Sequence, residues 1–196
     1  IRQLDKPYSE YDWEIEVFDA EEVNAFAMPG GKIGVFTGIF KVATNQDELA
    51  AVIGHEVAHV TEDHALERAN REAVTAGAVD FGAAAVGGST GLGTQNSAVL
   101  LGMGAQLGLS LPYGRAQESE ADLEGLVYMS NAGFDPRASI QLWKNMKGQK
   151  KGAPPEFLST HPSSTSRIAD LIAELREVLP LYNEALDADR RPDCQH

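Results

Sequence analysis

His55 and His59, four residues apart with Glu56 between them, constrain this chain more than any other feature. Residues at that spacing share one face of an α-helix, so both imidazoles can hold one metal ion only if the segment is helical. Glu56 then projects from a neighbouring position, close enough to work on a water at the metal without binding the metal itself. Zinc suits such a site, because imidazole nitrogen is a good ligand and tetrahedral geometry is easily met. The bland alternative is a helix with two solvent-facing histidines.

Local signals place the motif on a helix. Asn45, with Glu48 three residues on, reads as a capping box opening a segment with Leu49, Val52, Ile53 and Val57 on it. That helix is expected to reach His59 and to have the option of running on through His64, Leu66 and Arg68. Upstream, Trp13–Phe18 alternates apolar and acidic residues as a half-buried strand does. Asn24–Met28 and Ile33–Thr37 flank Pro29-Gly30-Gly31 and read as a hairpin. Downstream, helices are expected over Gln117–Asn131, with Gly133 closing it, over Arg137–Lys147 after Asp135-Pro136, and from about Ser164 to Val178. The fold class is therefore α+β, mainly helical, with a small antiparallel sheet near the N-terminus.

With 196 residues, the chain suits one domain: a core over about 11–179, a glycine-rich apolar hairpin over 81–114, and a C-terminal tail over 180–196. No charged residue lies between Phe81 and Gly114, and two apolar pieces, 73–86 and 97–111, flank a linker at 87–93. Each is shorter than the ~20 residues a membrane-spanning helix needs; a packed hairpin and a membrane- or substrate-contacting one remain the two readings. The formal net charge of −13 argues against nucleic acid as a partner. The single cysteine, Cys194, excludes an intramolecular disulfide and a thiolate metal cluster. The first residues do not form a signal peptide, and a chain beginning with Ile1 is expected to have lost a leader or a further segment.

A catalytic zinc site needs a third protein ligand and one position left for water. Glu118 and Asp122 share a helix face, so Glu118 can bind the metal while Asp122 accepts the outward ring N–H of a histidine. Glu120 points elsewhere. A solvated acidic face is the competing reading, and the upstream histidines favour the ligand one.

These motifs together resemble the M48 family of zinc metallopeptidases, of the soluble bacterial periplasmic type. The gluzincin pattern stands here as His55-Glu56-x-x-His59 followed by Glu118-x-x-x-Asp122. The likeness extends to Asn24-Ala25-Phe26-Ala27-x-Pro29-Gly30-Gly31, to Val35-x-Thr37-Gly38 and to Ser159-Thr160-His161-Pro162, in consistent order from Tyr11 to Leu179. The resemblance implies a zincin-like endopeptidase with one Zn2+ per chain, held by His55, His59 and Glu118. It makes Glu56 the general base, Asp122 the partner of His55, and unfolded or misassembled envelope proteins the substrates. It also implies a periplasmic or cell-envelope location, compatible with peripheral membrane or envelope-protein association. A zinc-bound, chaperone-like binding module with little turnover is the alternative.

Three further expectations follow. Ile33, Gly34, Val35, Phe36 and Thr37 form a candidate edge strand to which an extended substrate adds, a fully covered strand being the other reading. His161, as the resemblance suggests, approaches the zinc as a fourth ligand or gate; a wall residue that bonds substrate and a purely structural loop are the alternatives. His64 reads as structural or as a partner to a ligand, Arg167 as an anchor for a carboxylate, and the terminal His196 has no assigned role.

Overall fold

The computed structural model describes Leu4 and residues 8–68, 70–71, 113–149, 155–162 and 165–194. The expected apolar hairpin, apart from Tyr113 and Gly114, lies outside the described residues, as does His196. Strands β1 (Glu14–Phe18), β2 (Ala25–Met28) and β3 (Lys32–Phe36) come first. Helices α1 (Gln46–Thr61), α2 (Arg115–Asn131), α3 (Ala138–Gly148), α4 (Glu156–Thr160) and α5 (Thr165–Asp187) follow. The α+β class holds.

The sheet differs from expectation in one respect. β2 and β3 form the antiparallel hairpin, with Ala25 opposite Val35 and Ala27 opposite Ile33. Gly30 and Gly31, at φ 87 and 89, make the turn in a conformation open chiefly to glycine. β1 instead pairs with β3 in parallel, Ile15 beside Ile33 and Val17 beside Val35, so the order is β1-β3-β2 and the sheet is mixed. The connection explains this. Residues 19–24 are too long for a tight hairpin and span the two inter-strand gaps, roughly 10 Å, that leave room for β3. Thr37 Oγ1 and the Gly38 N–H tie that connection down at Ala20. Consequently Lys32–Phe36 is the central strand and no edge, and Thr37 already belongs to a 3-10 turn (Thr37–Lys41).

One sheet face, carrying Ala25, Ala27, Ile33 and Val35, is buried, with β2 packed on α1. On the other face Phe26 lies over Gly34, where a Cβ would stand 2.3 Å from the ring. α1 is the central element, buried continuously from Gly54 to Thr61. Asn45 caps it by accepting from the Glu48 N–H at 2.9 Å. The Glu48 carboxylate turns back to the Thr44 N–H and hydroxyl, so only half of the expected capping box forms. α1 ends at Thr61, because Asp63 adopts φ 52; residues 64–68 resume as a separate helical stretch.

α2 opens at Gly114, whose N–H donates to Gln117 Oε1, and closes at Gly133. There the Gly133 N–H bonds Ser130 O and the Phe134 N–H bonds Met129 O, the paired closure a left-handed residue allows. α5 runs well past Val178, with Pro180 inside it, so residues 180–187 are helix and not tail. Beyond it the chain returns to α1, where Gln46 donates to Pro192 O and accepts from the Cys194 N–H.

α1 and α2 cross backbone to backbone. A Cβ on Gly54 would lie 2.8 Å from Gly125 O, and one on Gly125 would lie 2.9 Å from the His55 nitrogen. Gly54→Ala should therefore cost about 1–3 kcal/mol of overpacking, more than the ~1 kcal/mol that alanine gains in helix propensity. The urea midpoint of Gly54→Ala is expected to fall, while Gly148→Ala, which meets nothing within 4 Å, does not lose stability.

Candidate active site

The helix crossing sets His55 and His59 of α1 against Glu118 and Asp122 of α2. His55 and His59 face inward from α1, their Nε2 atoms 3.1 Å apart. Glu118, from the first turn of α2, brings Oε1 to 3.3 Å from His59 Nε2 and Oε2 to 3.6 Å from His55 Nε2. His161, just after α4, places Nδ1 3.1 Å from His55 Nε2 and 3.0 Å from Glu118 Oε1. One donor atom from each of the four lies within 4.8 Å of every other, and all four residues are buried.

These donors fit a metal ion. Ligands ~2.0–2.1 Å from a tetrahedral centre stand about 3.3 Å apart, which the separations bracket. Three imidazoles and a carboxylate are a donor set suited to zinc. Three buried carboxylates, Glu56, Glu118 and Asp122, stand at the centre, and the buried Arg167 guanidinium bonds two of them, Glu118 and Asp122. A divalent cation offsets that excess of negative charge.

Asp122 and Arg167 brace the centre. Asp122 Oδ1 lies 3.1 Å from His55 Nδ1, although off the line of a good hydrogen bond. Arg167, from α5, forks both Asp122 oxygens at 2.6 and 2.7 Å, donates to Glu118 Oε2 and to Pro162 O, and stacks 4.0 Å over Trp143. One guanidinium thus holds two carboxylates and the turn that carries His161. The sequence suggested an anchor for one carboxylate; that it joins three elements depends on α5 packing across α2.

On the other side, His59 Nδ1 meets His64 Nδ1 at 2.9 Å, and His64 Nε2 meets Glu120 Oε2 at 3.2 Å. Glu120 therefore reaches the site's surroundings after all. Tyr113 stacks on the His59 ring at 3.8 Å, a contact with no local sequence signal.

Charge states follow from these contacts. Burial works to raise the Glu118 carboxyl, but His161, His59 and His55 overcome it and hold Glu118 well below its ordinary range. Burial is likewise overcome at Asp122, held low by Arg167 and His55. Burial drives the His59 imidazole well below its usual value. At His55 burial is outweighed by Asp122 and Glu118, and the value rises. Burial raises Glu56, whose Oε1 has no hydrogen-bond partner and lies 3.4 Å from His161 Nε2. Burial and then Glu56 push Tyr113 up to about 12. A buried carboxyl of raised pKa beside a prospective metal is suited to taking and returning a proton.

Beside Glu56 a cavity of about 150 Å³ is lined by Asn24, Phe26, Phe36, Tyr113 and His161 among others. β2 borders it with Ala25, Phe26 and Ala27, whereas β3 reaches it only with its last residue, Phe36. The Phe36 N–H bonds Asn24 O, so by antiparallel alternation Ala25 and Ala27 turn their backbone groups away from β3. Ile33–Thr37, expected as an edge strand, is therefore central, and of the two edge strands β2 is the one at the cavity.

Residues 1–175 match Peptidase family M48. The "Mitochondrial metalloendopeptidase OMA1" of Schizosaccharomyces pombe is 42% identical over 192 residues, covering 96% of this chain and 52% of that protein. The "Metalloendopeptidase OMA1, mitochondrial" of Homo sapiens is 36% identical over 172 residues, 82% of this chain and 32% of that protein. The "Beta-barrel assembly-enhancing protease" of Yersinia pestis is 32% identical over 171 residues, 82% and 34% respectively. The chain therefore spans from about a third to about half of these relatives.

Removing the guanidinium tests the brace. In metal-free protein, Arg167→Met should cost about 3–5 kcal/mol at pH 7, since it leaves two buried carboxylates without their cation. Asp122 is held low in the folded chain, so its contribution is present above the ordinary carboxylate pKa of ~3.9 and is lost as pH falls through the lower folded value. Without Arg167, burial raises Asp122 and Glu118, which take up protons earlier and are relieved. Urea unfolding should show the gap between wild type and variant narrowing from pH 7 toward pH 4.5; a constant gap would assign the cost to lost packing on Trp143.

Proposed function

The chain belongs to peptidase family M48, and from that membership we propose that it is a zinc-dependent endopeptidase cutting internal bonds of unfolded or misassembled polypeptides. The observation that carries the reading is the convergence of His55, His59, Glu118 and His161 beside the unpartnered Glu56 Oε1. In this reading His55, His59 and Glu118 hold one Zn2+. Zinc, when bound, supplies a Lewis acid for the scissile carbonyl and lowers the pKa of water at the site.

The chain's own residues do the rest. Glu56 Oε1 takes a proton from the attacking water as its oxygen bonds the carbonyl carbon. The same oxygen returns that proton to the amine nitrogen as the C–N bond breaks. Asp122 keeps His55 oriented, and Arg167 keeps Asp122 in place. β2 offers the Ala25 backbone groups and the Ala27 carbonyl to an extended substrate, whose recognition by main-chain hydrogen bonds reads little sequence. His161 is the gate: with Nδ1 among the donors it completes a four-ligand set, and a closed tetrahedral zinc has no position for water.

Two settings are supported by relatives' names. The bacterial ones speak of β-barrel assembly, which favours a periplasmic or envelope enzyme, while the OMA1 names are mitochondrial. Among the described residues, no helix is long and apolar enough to cross a membrane. Polypeptides are the partners in either setting.

Cleavage of casein by zinc-loaded wild type, His161→Ala and Glu56→Gln tests the proposal. Glu56→Gln should lose about 10²–10⁴-fold in rate while keeping its zinc, and His161→Ala should outpace wild type. A His161→Ala slower than an active wild type would move His161 from gate to catalytic apparatus. Silence of all three with zinc bound would favour a zinc-containing binding module, the reading that a closed four-donor set also fits.

A further inference from the structure

His64 stands five residues after His59, which on an unbroken helix would turn it about 140° away from the ligand face. It nevertheless meets His59 edge to edge, because the chain breaks at Glu62–Asp63. Asp63 takes φ 52, uncommon for a residue other than glycine, and the helical stretch that restarts at His64 carries the imidazole back under α1. A strained turn that serves one buried contact points to a role for that contact.

The contact has one consistent arrangement of protons once Nε2 of His59 faces a cation. That nitrogen must present its lone pair inward, so the ring proton sits on Nδ1. His59 Nδ1–H then donates to His64 Nδ1 at 2.9 Å. The remaining ring proton of His64 sits on Nε2 and donates to Glu120 Oε2 at 3.2 Å. Every donor has one acceptor, and no N–H faces another. The Gln117 amide, which donates to His64 O and to Glu67 Oε2, holds the restarted turn against α2. Tyr113 stacked on the His59 ring prevents it from tilting out of the plane of the chain.

We propose that Glu120–His64–His59 is an orienting chain for the second imidazole ligand, with His64 and Glu120 as positioning residues that lock His59 in its metal-binding tautomer. The inference rests on the metal-centre reading above. It gives every acid of the Glu118-x-Glu120-x-Asp122 run a place: Glu118 at the ion, Asp122 behind His55, and Glu120 behind His59 through a second imidazole. The two supports differ in kind. Asp122 is buried and pinned by Arg167, whereas the Glu120 side chain is 56% exposed, so the support of His59 ends at solvent. Ligand histidines held by such partners typically lose 10–100-fold in metal affinity when the partner is removed.

The test uses the full chain with His64→Phe, His64→Asn and Glu120→Ala. Zinc Kd is measured by chelator competition, the His59 Nδ1–H resonance by NMR of zinc-loaded protein, and the unfolding midpoint on metal-free protein. His64→Phe should raise Kd about 10–100-fold and lose the protected Nδ1–H signal. His64→Asn, whose amide oxygen can stand near the position of Nδ1, should recover most of both. Glu120→Ala should weaken binding less, with an unchanged metal-free midpoint. Wild-type affinity in His64→Phe, or a His64→Asn as weak as His64→Phe, would overturn the proposal. Should His64→Phe fail to fold, Glu120→Ala decides: weaker zinc with an unchanged midpoint supports the chain, and unchanged zinc sinks it. A wild type that binds no zinc would overturn both this inference and the proposed function, whereas zinc bound without proteolysis would overturn only the function.

Discussion

The approach of α1 to α2 at Gly54 and Gly125 is the constraint on which the site depends. With a Cβ on either residue the helices would have to separate, since each would meet the backbone of the other. His55 follows Gly54 directly, and Asp122 lies one turn before Gly125. The contact therefore sets how far Glu118 and Asp122 stand from the histidines. Short side chains at the crossing let two long, polar side-chain pairs meet, where bulky ones would have kept them apart. The apolar body of the domain, with Val52, Val57, Leu126 and Met129 at this same crossing, holds the geometry.

Around that crossing the protein gathers charge that a hydrophobic interior resists. Glu56, Glu118 and Asp122 are all buried, and Arg167 brings a permanent positive charge to Glu118 and Asp122. Burying carboxylates is costly unless they are paired, and here a guanidinium and the imidazoles divide the work. Asp122 is satisfied by the guanidinium, Glu118 by the guanidinium and the imidazoles, whereas Glu56 has no guanidinium and no hydrogen bond at Oε1, and burial shifts its carboxyl upward. In the proposed reaction it is this least satisfied carboxyl that exchanges a proton.

Much of this was legible in the sequence, because helices write their faces into the chain at short range. His55 with His59, and Glu118 with Asp122, are four-residue repeats, and helical periodicity alone put each pair on a common face. Asn45 and Gly133 likewise announced helix ends through local backbone chemistry. The strand order was not legible. The run Ile33–Thr37 reports a strand but not its neighbours, and only the long connection after β1 made β3 central, with β1 and β2 as the two edges. His64 was placed among structural or supporting histidines by its spacing, yet its contact with His59 exists because Asp63 breaks the helix. Nothing in residues 59–64 read as an unbroken helix would bring the rings together.

The chemical inventory and its local phasing were written in the chain: helix-borne imidazoles, a carboxylate between them, an acidic run on a second helix, and a His-Pro turn. Membership of peptidase family M48 follows from the same text. Which of these groups share one centre emerged from the packing of the elements. From α5, Arg167 ties Asp122 and Glu118 of α2 to Pro162 of the turn after α4, and His161 enters the donor set from 43 residues beyond Glu118. Such meetings arise from packing between elements, where side-chain volumes and backbone approach decide distances, and these leave no periodic trace in the chain.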